Sequence, residues 1–239
     1  MQIVTSDLKE KHPGTIINFV IDMSGSMSSC CDATIDAFNK YVEEHQKSKL
    51  AERKGQIYLT LTVFDTEFIV VYACKEISEV PKLTNEVYCP RDMTALNDAV
   101  GFTICAVEDA IKDWTEKPKI LTVVLTDGGE NSSQEFSTEK IQQLIKDKEA
   151  QGWTFIFLAE GIKNAEQGLS MGISARNIRS FNTADMGETM DALCCSSIQF
   201  CDSIESEATP AHFFDLSSEA SEKWNKISTK IEEDKNVSQ

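Results

Sequence analysis

The sequence predicts an α/β fold: a mostly parallel six-stranded sheet with one antiparallel edge strand and helices on both faces. Two observations lead to this prediction. Short apolar runs rich in β-branched residues alternate with segments whose apolar residues recur every three or four positions, which is typical of a parallel sheet covered by helices. One pair of apolar runs is separated by only three polar residues, which predicts a hairpin and therefore the antiparallel strand.

The first half of the chain contains three predicted strands and two predicted helices. The opening strand is the apolar run TIINFVI, whose length and composition indicate a fully buried strand. Ile35, Phe38 and Val42 share one face at helical spacing, and the hairpin strands flank the polar segment 65–67. In order, the predicted elements are a strand at 15–21, a helix at 30–46, strands at 57–64 and 68–74, and a helix at 95–114.

The second half alternates between strand and helix. The apolar run ILTVVL runs directly into a Thr-Asp-Gly-Gly segment, which predicts a strand that ends in a polar loop. Ser137 suits the N-cap of the next helix, and Gly152 ends that helix. The predicted elements are a strand at 120–125, a helix at 137–150, a strand at 153–159, a helix at 165–171, a strand at 178–181 and a helix at 185–201.

Composition divides the chain into three segments. Residues 14–203 form the predicted domain, residues 1–13 a lead-in, and residues 204–239 an acidic, serine-rich C-terminal extension. Four apolar residues in the extension, one of them a tryptophan, are spaced 4, 3 and 4 apart, which predicts an amphipathic helix at about 218–233. Two roles stay open for this helix: packing on its own domain, or docking on a partner.

Charge and cysteine content exclude several classes of protein. The formal net charge is -16, and such an acidic chain repels nucleic acid, whose binding depends on Lys and Arg. No apolar run approaches the ~20 residues that cross a bilayer, and the N-terminus lacks the pattern of a secretory signal. The cysteines include no Cys-x-x-Cys pair, which favours free thiols in a reducing compartment. We therefore expect no nucleic-acid or membrane partner, and a cytoplasmic location in a bacterium or an infected host cell.

Five oxygen-bearing side chains are placed where loops at the carboxyl ends of the strands converge. Asp22, Ser24 and Ser26 follow the first strand, Thr94 begins the second helix, and Asp127 follows the fourth strand. Two carboxylates and three hydroxyls are ligands that a hard cation prefers, which favours Mg²⁺, with Mn²⁺ and Ca²⁺ as alternatives. The sequence therefore predicts a metal site made of these five residues.

This set of residues resembles the metal-ion-dependent adhesion site (MIDAS) of the von Willebrand factor A (vWA) family. The family pattern is Asp-x-Ser-x-Ser, then a distant Thr and a distant Asp, and the chain matches all five positions in order. Neighbouring motifs agree, since Thr94 opens a Thr-Ala-Leu-Asn-Asp-Ala helix start and Asp127 lies in Leu-Thr-Asp-Gly. The resemblance covers about residues 14–203 and implies a Rossmann-like vWA fold with a complete MIDAS.

The resemblance also implies an adaptor that binds another protein through a metal ion and is not an enzyme. Ser24, Ser26 and Thr94 would touch the ion, while Asp22 and Asp127 would act mostly through water or hydrogen bonds. The ion would then keep much of its positive charge and one open coordination position, which suits an Asp or Glu side chain of a protein partner. Partner binding would therefore depend on the metal.

The loops around these five residues form the predicted partner-binding rim. Arg91 has two interpretations: it steadies an incoming carboxylate, or it forms a surface pair with Asp92 or Glu130 worth at most about 1 kcal/mol. The rim residues are Met27, Arg91, Met93, Glu130, Asn131 and Phe136.

Rival chemistries do not assemble in this sequence. It has no Asp-x-Asp nucleophile pair at Asp22, no Gly-x-Ser-x-Gly elbow and no Gly-x-x-x-x-Gly-Lys loop. Two other functions stay open: a structural subunit that assembles through the C-terminal helix, and a metal-dependent hydrolase, which is disfavoured because no general base is visible beside the site. Cys30 and Cys31 are either packed thiols or a pair with a lowered thiol pKa at a helix N-terminus. His45 is expected to be a solvated side chain.

Overall fold

The structure is a computed structural model that describes residues 14–48, 57–114, 116–203 and 213–214. Within them lie six strands: β1 (Thr15–Asp22), β2 (Ile57–Phe64), β3 (Phe68–Glu76), β4 (Lys119–Thr126), β5 (Trp153–Glu160) and β6 (Ile178–Phe181). They form one sheet in the order β3-β2-β1-β4-β5-β6, in which every neighbouring pair is parallel except β2 and β3. The predicted sheet is therefore confirmed, including the antiparallel strand at its edge.

Helices cover both faces of this sheet. Over the described ranges they are α1 (Cys31–Lys47), α2 (Leu96–Ile111), α3 (Thr138–Glu149), α4 (Ile162–Ser170) and α5 (Met186–Asp202). The buried sides of α1 and α5 belong to one core, and those of α2 and α3 belong to the other. Strand residues alternate between the two cores, so Phe19 and Ile21 lie in the core of α1 whereas Ile16 and Val20 lie in that of α2. The prediction of helices on both faces is confirmed.

The strand order reverses beside β1, and this reversal defines the edge where a ligand would bind. The chain passes from β1 to β2 and β3 on one side, then continues with β4, β5 and β6 on the other side. In open α/β sheets, ligands bind in the crevice at such a point, outside the carboxyl ends of the strands. Asp22 ends β1 and Asp127 directly follows β4, so both predicted carboxylates lie at this crevice.

Some boundaries differ from the predicted ones. The helix predicted at 165–171 begins at Ile162, because Gly161, at a φ of 75°, turns the chain directly from β5 into α4. The lead-in at 1–13 and the amphipathic helix at about 218–233 lie outside the described residues. Two residues of the C-terminal extension are described, and both are buried in the core of α1 and α5: Phe213 and Phe214.

The thiols of Cys30 and Cys31 are not activated, and three of the cysteines are packed in the interior. Cys30, Cys74 and Cys194 are buried, and the structure contains no disulfide among the cysteines, all of which lie in described ranges. Burial raises the pKa of the Cys30 thiol to about 11 and also raises that of Cys31. The interpretation of Cys30 and Cys31 as a pair with a lowered pKa is therefore wrong. Separately, none of the described helices combines the length and apolar character needed to span a bilayer.

His45 is fully buried between α1 and α5, so the expectation of a solvated histidine is wrong. Its position on α1 faces the core because the apolar stripe of this helix continues through Tyr41 and Val42. The ring Nδ1 donates to the carbonyl of Tyr41 at 3.0 Å, and Nε2 lies 3.0 Å from the Ser197 hydroxyl of α5. These bonds satisfy a neutral imidazole, and burial lowers the pKa of His45 to about 4.

We expect His45 to make the fold sensitive to acid. Above the ordinary pKa of 6.5 the ring is neutral in both folded and unfolded chains, so it has no effect on pH dependence. As the pH falls from 6.5 to 4, only the unfolded chain binds the proton, and the free energy of unfolding falls by about 3 kcal/mol. Urea unfolding of the wild type and His45→Gln at several pH values measures the difference. Parallel pH profiles of the two proteins would contradict this prediction.

Candidate metal centre

Asp22 is the innermost residue of the candidate site. It is the last residue of β1, and its side chain is fully buried. Its Oδ1 accepts from the backbone N–H of Ser24 at 2.7 Å, and its Oδ2 accepts from the Thr126 hydroxyl of β4 at 2.6 Å. Burial raises the pKa of Asp22 to about 6 in spite of these bonds. The carboxylate therefore holds the first loop against β4, and its charge is only partly compensated.

Ser24, Ser26 and Asp127 form a chain of oxygen atoms above Asp22. The hydroxyls of Ser24 and Ser26 lie 3.1 Å apart, and Ser26 Oγ donates to Asp127 Oδ1 at 2.6 Å. Ser24 precedes a single 3₁₀ turn, Gly25–Ser29, which brings Ser26 back over the end of β1. Burial also raises the pKa of the half-buried Asp127. The first and fourth strands thus place their polar residues in direct contact.

Thr94 reaches the same place from the start of α2. A Cβ atom placed on Gly128 would lie 3.6 Å from Thr94 Oγ1 and 3.7 Å from Ser26 Oγ, so both hydroxyls face the space over this glycine. The backbone of Thr94 is held by Asn131, whose Oδ1 accepts from the Thr94 N–H at 2.9 Å and whose own N–H donates to the Thr94 carbonyl at 3.1 Å. The structure therefore brings together all five residues that the sequence predicts.

A second loop braces the first, which sequence reasoning did not predict. The hydroxyl of Tyr88 donates to the backbone carbonyl of Asp22 at 2.5 Å, and Tyr88 is fully buried. The N–H of Gly25 donates to the Asp92 carbonyl at 3.0 Å, and the N–H of Arg91 donates to the Met23 carbonyl at 2.9 Å. A buried tyrosine hydroxyl needs a partner, but the sequence alone does not show which carbonyl accepts it.

Two residues predicted for the rim are structural. Met27 is fully buried in the core, because the 3₁₀ turn directs it inward between exposed serines, so its assignment to the rim is wrong. Phe136 packs edge-on against Phe102, with ring centroids 5.2 Å apart. Its ring also covers Gly101, where a Cβ would come within 2.6 Å of it, so this close approach requires glycine. Met93, by contrast, is 52% exposed and remains available at the rim.

Arg91 pairs with neither of the residues considered for it. Its Nε donates to Asp65 Oδ2 at 2.6 Å, and its guanidinium lies 3.6 Å from Glu67. Asp65 is only 1% exposed, so Arg91 compensates a buried charge in the β2–β3 hairpin. Glu130 is also structural, since its carboxylate accepts from the N–H of Asn97 at 2.7 Å, in the first turn of α2.

Glu160 and Asn164 are two further polar residues at this edge that sequence reasoning missed. Asn164 Nδ2 donates to the carbonyls of Asp127, at 2.5 Å, and Glu160, at 2.8 Å, and so ties the ends of β4 and β5 together. Glu160 is the last residue of β5, and its charge adds to burial in raising the pKa of Asp127. The sequence signal that could have identified Glu160 was its place as a carboxylate at the carboxyl end of a predicted parallel strand.

The site offers oxygen donors only. Within the described part of the chain, no group of three or more His, Cys, Asp or Glu side chains is arranged to hold a metal ion. A cation here would instead depend on hydroxyl oxygens supported by carboxylates. The hydrogen bonds that link Ser24, Ser26 and Asp127, with the Thr94 hydroxyl facing the same space over Gly128, fit that arrangement. This donor set fits a hard divalent cation and does not suit a soft one, which prefers thiolate or imidazole.

No protein-family model matches the sequence, and its comparison with curated proteins found no match. Among solved structures, the chain resembles the pilus adhesin SpaC of Lactobacillus rhamnosus GG, with a TM-score of 0.61 and 13% identity over 81% of this chain and 31% of the adhesin. It also resembles the vWF domain of the type V pili tip protein Mfa5 of Porphyromonas gingivalis, with a TM-score of 0.58 and 8% identity over 79% and 96% of the two chains.

A third similar structure is the manganese-loaded TRAP protein of Plasmodium vivax, with a TM-score of 0.52 and 15% identity over 73% of this chain and 70% of TRAP. At such low identity these similarities establish the fold, which is the vWA fold that the sequence resemblance implied. The chain spans about a third of the length of the SpaC structure, at 31%. The functions of these proteins therefore support a proposal for this chain but do not establish one.

Proposed function

We propose that this chain is a protein-interaction module that binds an acidic side chain of its partner through a divalent cation, Mg²⁺ in the first place. The observation that carries the proposal is the convergence of Ser24, Ser26, Thr94 and Asp127 at the switch point of the sheet. These residues come from three separate elements, and local turn formation does not explain why their oxygen atoms meet.

Each of the five residues has a defined part in holding the cation. Ser24, Ser26 and Thr94 offer neutral hydroxyl oxygens toward it. Both oxygens of Asp22 accept hydrogen bonds within the protein, so Asp22 supports the loop and adds charge beside the cation. Asp127 Oδ1 orients the Ser26 hydroxyl. When bound, the cation supplies a positive charge and an open coordination position for a partner's carboxylate.

The surrounding charges favour recognition through the metal rather than through a basic residue. Arg91, the basic residue predicted for the rim, is occupied by Asp65 and Glu67. The chain carries a net charge of -16, which repels an acidic partner at long range. An Asp or Glu would therefore bind here only once a cation is in place. Met93, which is exposed beside Thr94, adds apolar contact area at the rim.

The similar structures support this proposal. SpaC is a pilus adhesin, Mfa5 is a pili tip protein, and TRAP was solved loaded with manganese. Adhesion and tip proteins act by binding, which agrees with a function that is not enzymatic. A cytoplasmic location for this chain, based on its cysteines, remains part of the proposal.

A peptide selection tests the proposed function directly. A random peptide library is panned against the immobilised chain in Mg²⁺, and each selected peptide is measured again with chelator and with its Asp or Glu residues changed to Asn or Gln. We expect both changes to abolish binding, because the contact needs the cation and the acid together. Peptides that bind equally well with chelator, or without an acidic residue, would contradict the proposal and favour a structural role.

A further inference from the structure

Glu160 ends the strand next to the one that leads into Asp127 of the candidate metal site. In the register of the two strands Thr126 of β4 pairs with Ala159 of β5, so the next residues along, Asp127 and Glu160, are neighbours. Neighbouring strands are about 4.8 Å apart, and paired residues of a parallel sheet face the same side. The side chain of Asn164 bonds both of their carbonyls, which keeps this spacing fixed.

Hydrogen bonds hold the Glu160 side chain in a defined position. Its Oε1 accepts from the hydroxyl of Thr183, at 2.5 Å, and from the N–H of the same residue, at 3.3 Å. Hydrogen bonds to a carboxylate are stronger than those between neutral groups, and Thr183 lies just after β6, on the side of Glu160 away from β4. The carboxylate is thus held on the β6 side of β5, one strand away from Asp127, so its charge lies close to the site without entering it.

We propose that Glu160 is a further residue of the metal site, which strengthens cation binding through its charge without coordinating the ion. This inference rests on the proposed function, because it needs a cation beside Ser26 and Asp127. The cation would then lie near three carboxylates, those of Asp22, Asp127 and Glu160. A carboxylate charge on the neighbouring strand changes the affinity of the site for a divalent ion by about 3- to 10-fold at low salt.

Calorimetric titration with Mg²⁺ of the wild type, Glu160→Gln and Glu166→Gln tests the proposal. Glutamine keeps the acceptor for Thr183, and the exposed Glu166 of α4 provides a control with the same loss of charge farther along the chain. We expect Glu160→Gln to weaken Mg²⁺ binding by about 3- to 10-fold at low salt and by less at high salt, because salt screens the interaction. Glu166→Gln should bind like the wild type.

The outcomes separate this inference from the proposed function. If the wild type binds Mg²⁺ and Glu160→Gln binds it equally well, the role of Glu160 is wrong and the proposed function stands. A loss of affinity that is independent of salt, together with a lower melting temperature, would indicate a structural role and also overturn the inference. If the wild type binds no Mg²⁺, both are overturned.

Discussion

Replacing Asp22 with asparagine should stabilise the metal-free protein and remove its response to Mg²⁺. Burial raises the pKa of Asp22 from 3.8 to about 6. Below about pH 4 the carboxyl is neutral in folded and unfolded chains. As the pH rises from 4 to 6 only the unfolded chain releases the proton, so the free energy of unfolding falls, and above pH 6 the full cost of ionising the buried carboxyl remains. At neutral pH that cost is about 3 kcal/mol, and the asparagine side chain avoids it because it carries no charge.

Asparagine can keep the hydrogen bond to Ser24 and leaves the Thr126 hydroxyl another acceptor, so the variant should fold. Its Oδ1 can accept from the Ser24 N–H, and the Thr126 hydroxyl has a second acceptor in the Gly128 carbonyl at 3.0 Å. We expect an increase of about 2 kcal/mol in the metal-free free energy of unfolding, or about 4–8 °C in melting temperature. The free energy of unfolding of the wild type should instead rise by about 2.7 kcal/mol when Mg²⁺ is present at 100 times its Kd.

Thermal unfolding of both proteins, with Mg²⁺ and with chelator, measures the two effects. Asp36→Asn, on the exposed face of α1, is the control for the removal of one negative charge and should behave like the wild type. The contrary result is that Asp22→Asn melts at a lower temperature than the wild type without metal, yet Mg²⁺ raises its melting temperature as much. That result would show that Asp22 supports the fold and has no part in cation binding.

Replacing Ser26 with alanine should weaken Mg²⁺ binding by at least about 10- to 100-fold, because it removes a proposed ligand oxygen and the partner of Asp127. The same loop contains a matched control. Ser28 is also exposed, but its hydroxyl donates to the Gly25 carbonyl at 2.8 Å within the turn, away from Asp127. Ser28→Ala should therefore leave Mg²⁺ affinity unchanged.

Calorimetry on these two variants compares serines two residues apart in one turn. Both residues are exposed, so neither substitution creates a cavity in the core, and folding should be preserved in both. Equal Mg²⁺ affinity in Ser26→Ala and Ser28→Ala would show that the hydroxyl of Ser26 does not bind the ion. Reduced affinity in both would indicate that the shape of the turn matters more than its individual oxygens.

The fold was predictable because its patterns are local. The run TIINFVI is apolar at almost every position because β1 is central in the sheet and buried on both faces. The three-residue connection at 65–67 allows only a hairpin, which places β3 antiparallel to β2. The five site residues were predictable from local patterns too, since each lies near the end of a predicted strand or the start of a predicted helix.

The errors have a common physical cause, which is that they depend on contacts between distant segments. Met27 lies in a serine-rich loop whose composition predicts an exposed segment, but the 3₁₀ turn directs its side chain into the core. His45 is buried because α5 provides the Ser197 hydroxyl that it needs. Arg91 pairs with Asp65 of the hairpin rather than with its neighbour in sequence. Glu160 is a neighbour of Asp127 only through the register of β4 and β5.

The proposed function requires oxygen atoms from three distant segments to hold one divalent cation. The most direct measurement is anomalous diffraction from crystals grown with Mn²⁺, an ion that the same oxygen ligands accept and whose position can be identified by its scattering. We predict one strong peak within coordination distance of the Ser24 and Ser26 hydroxyls and beside Asp127. Crystals that show no peak there at saturating Mn²⁺, or show it at another place on the surface, would contradict the account.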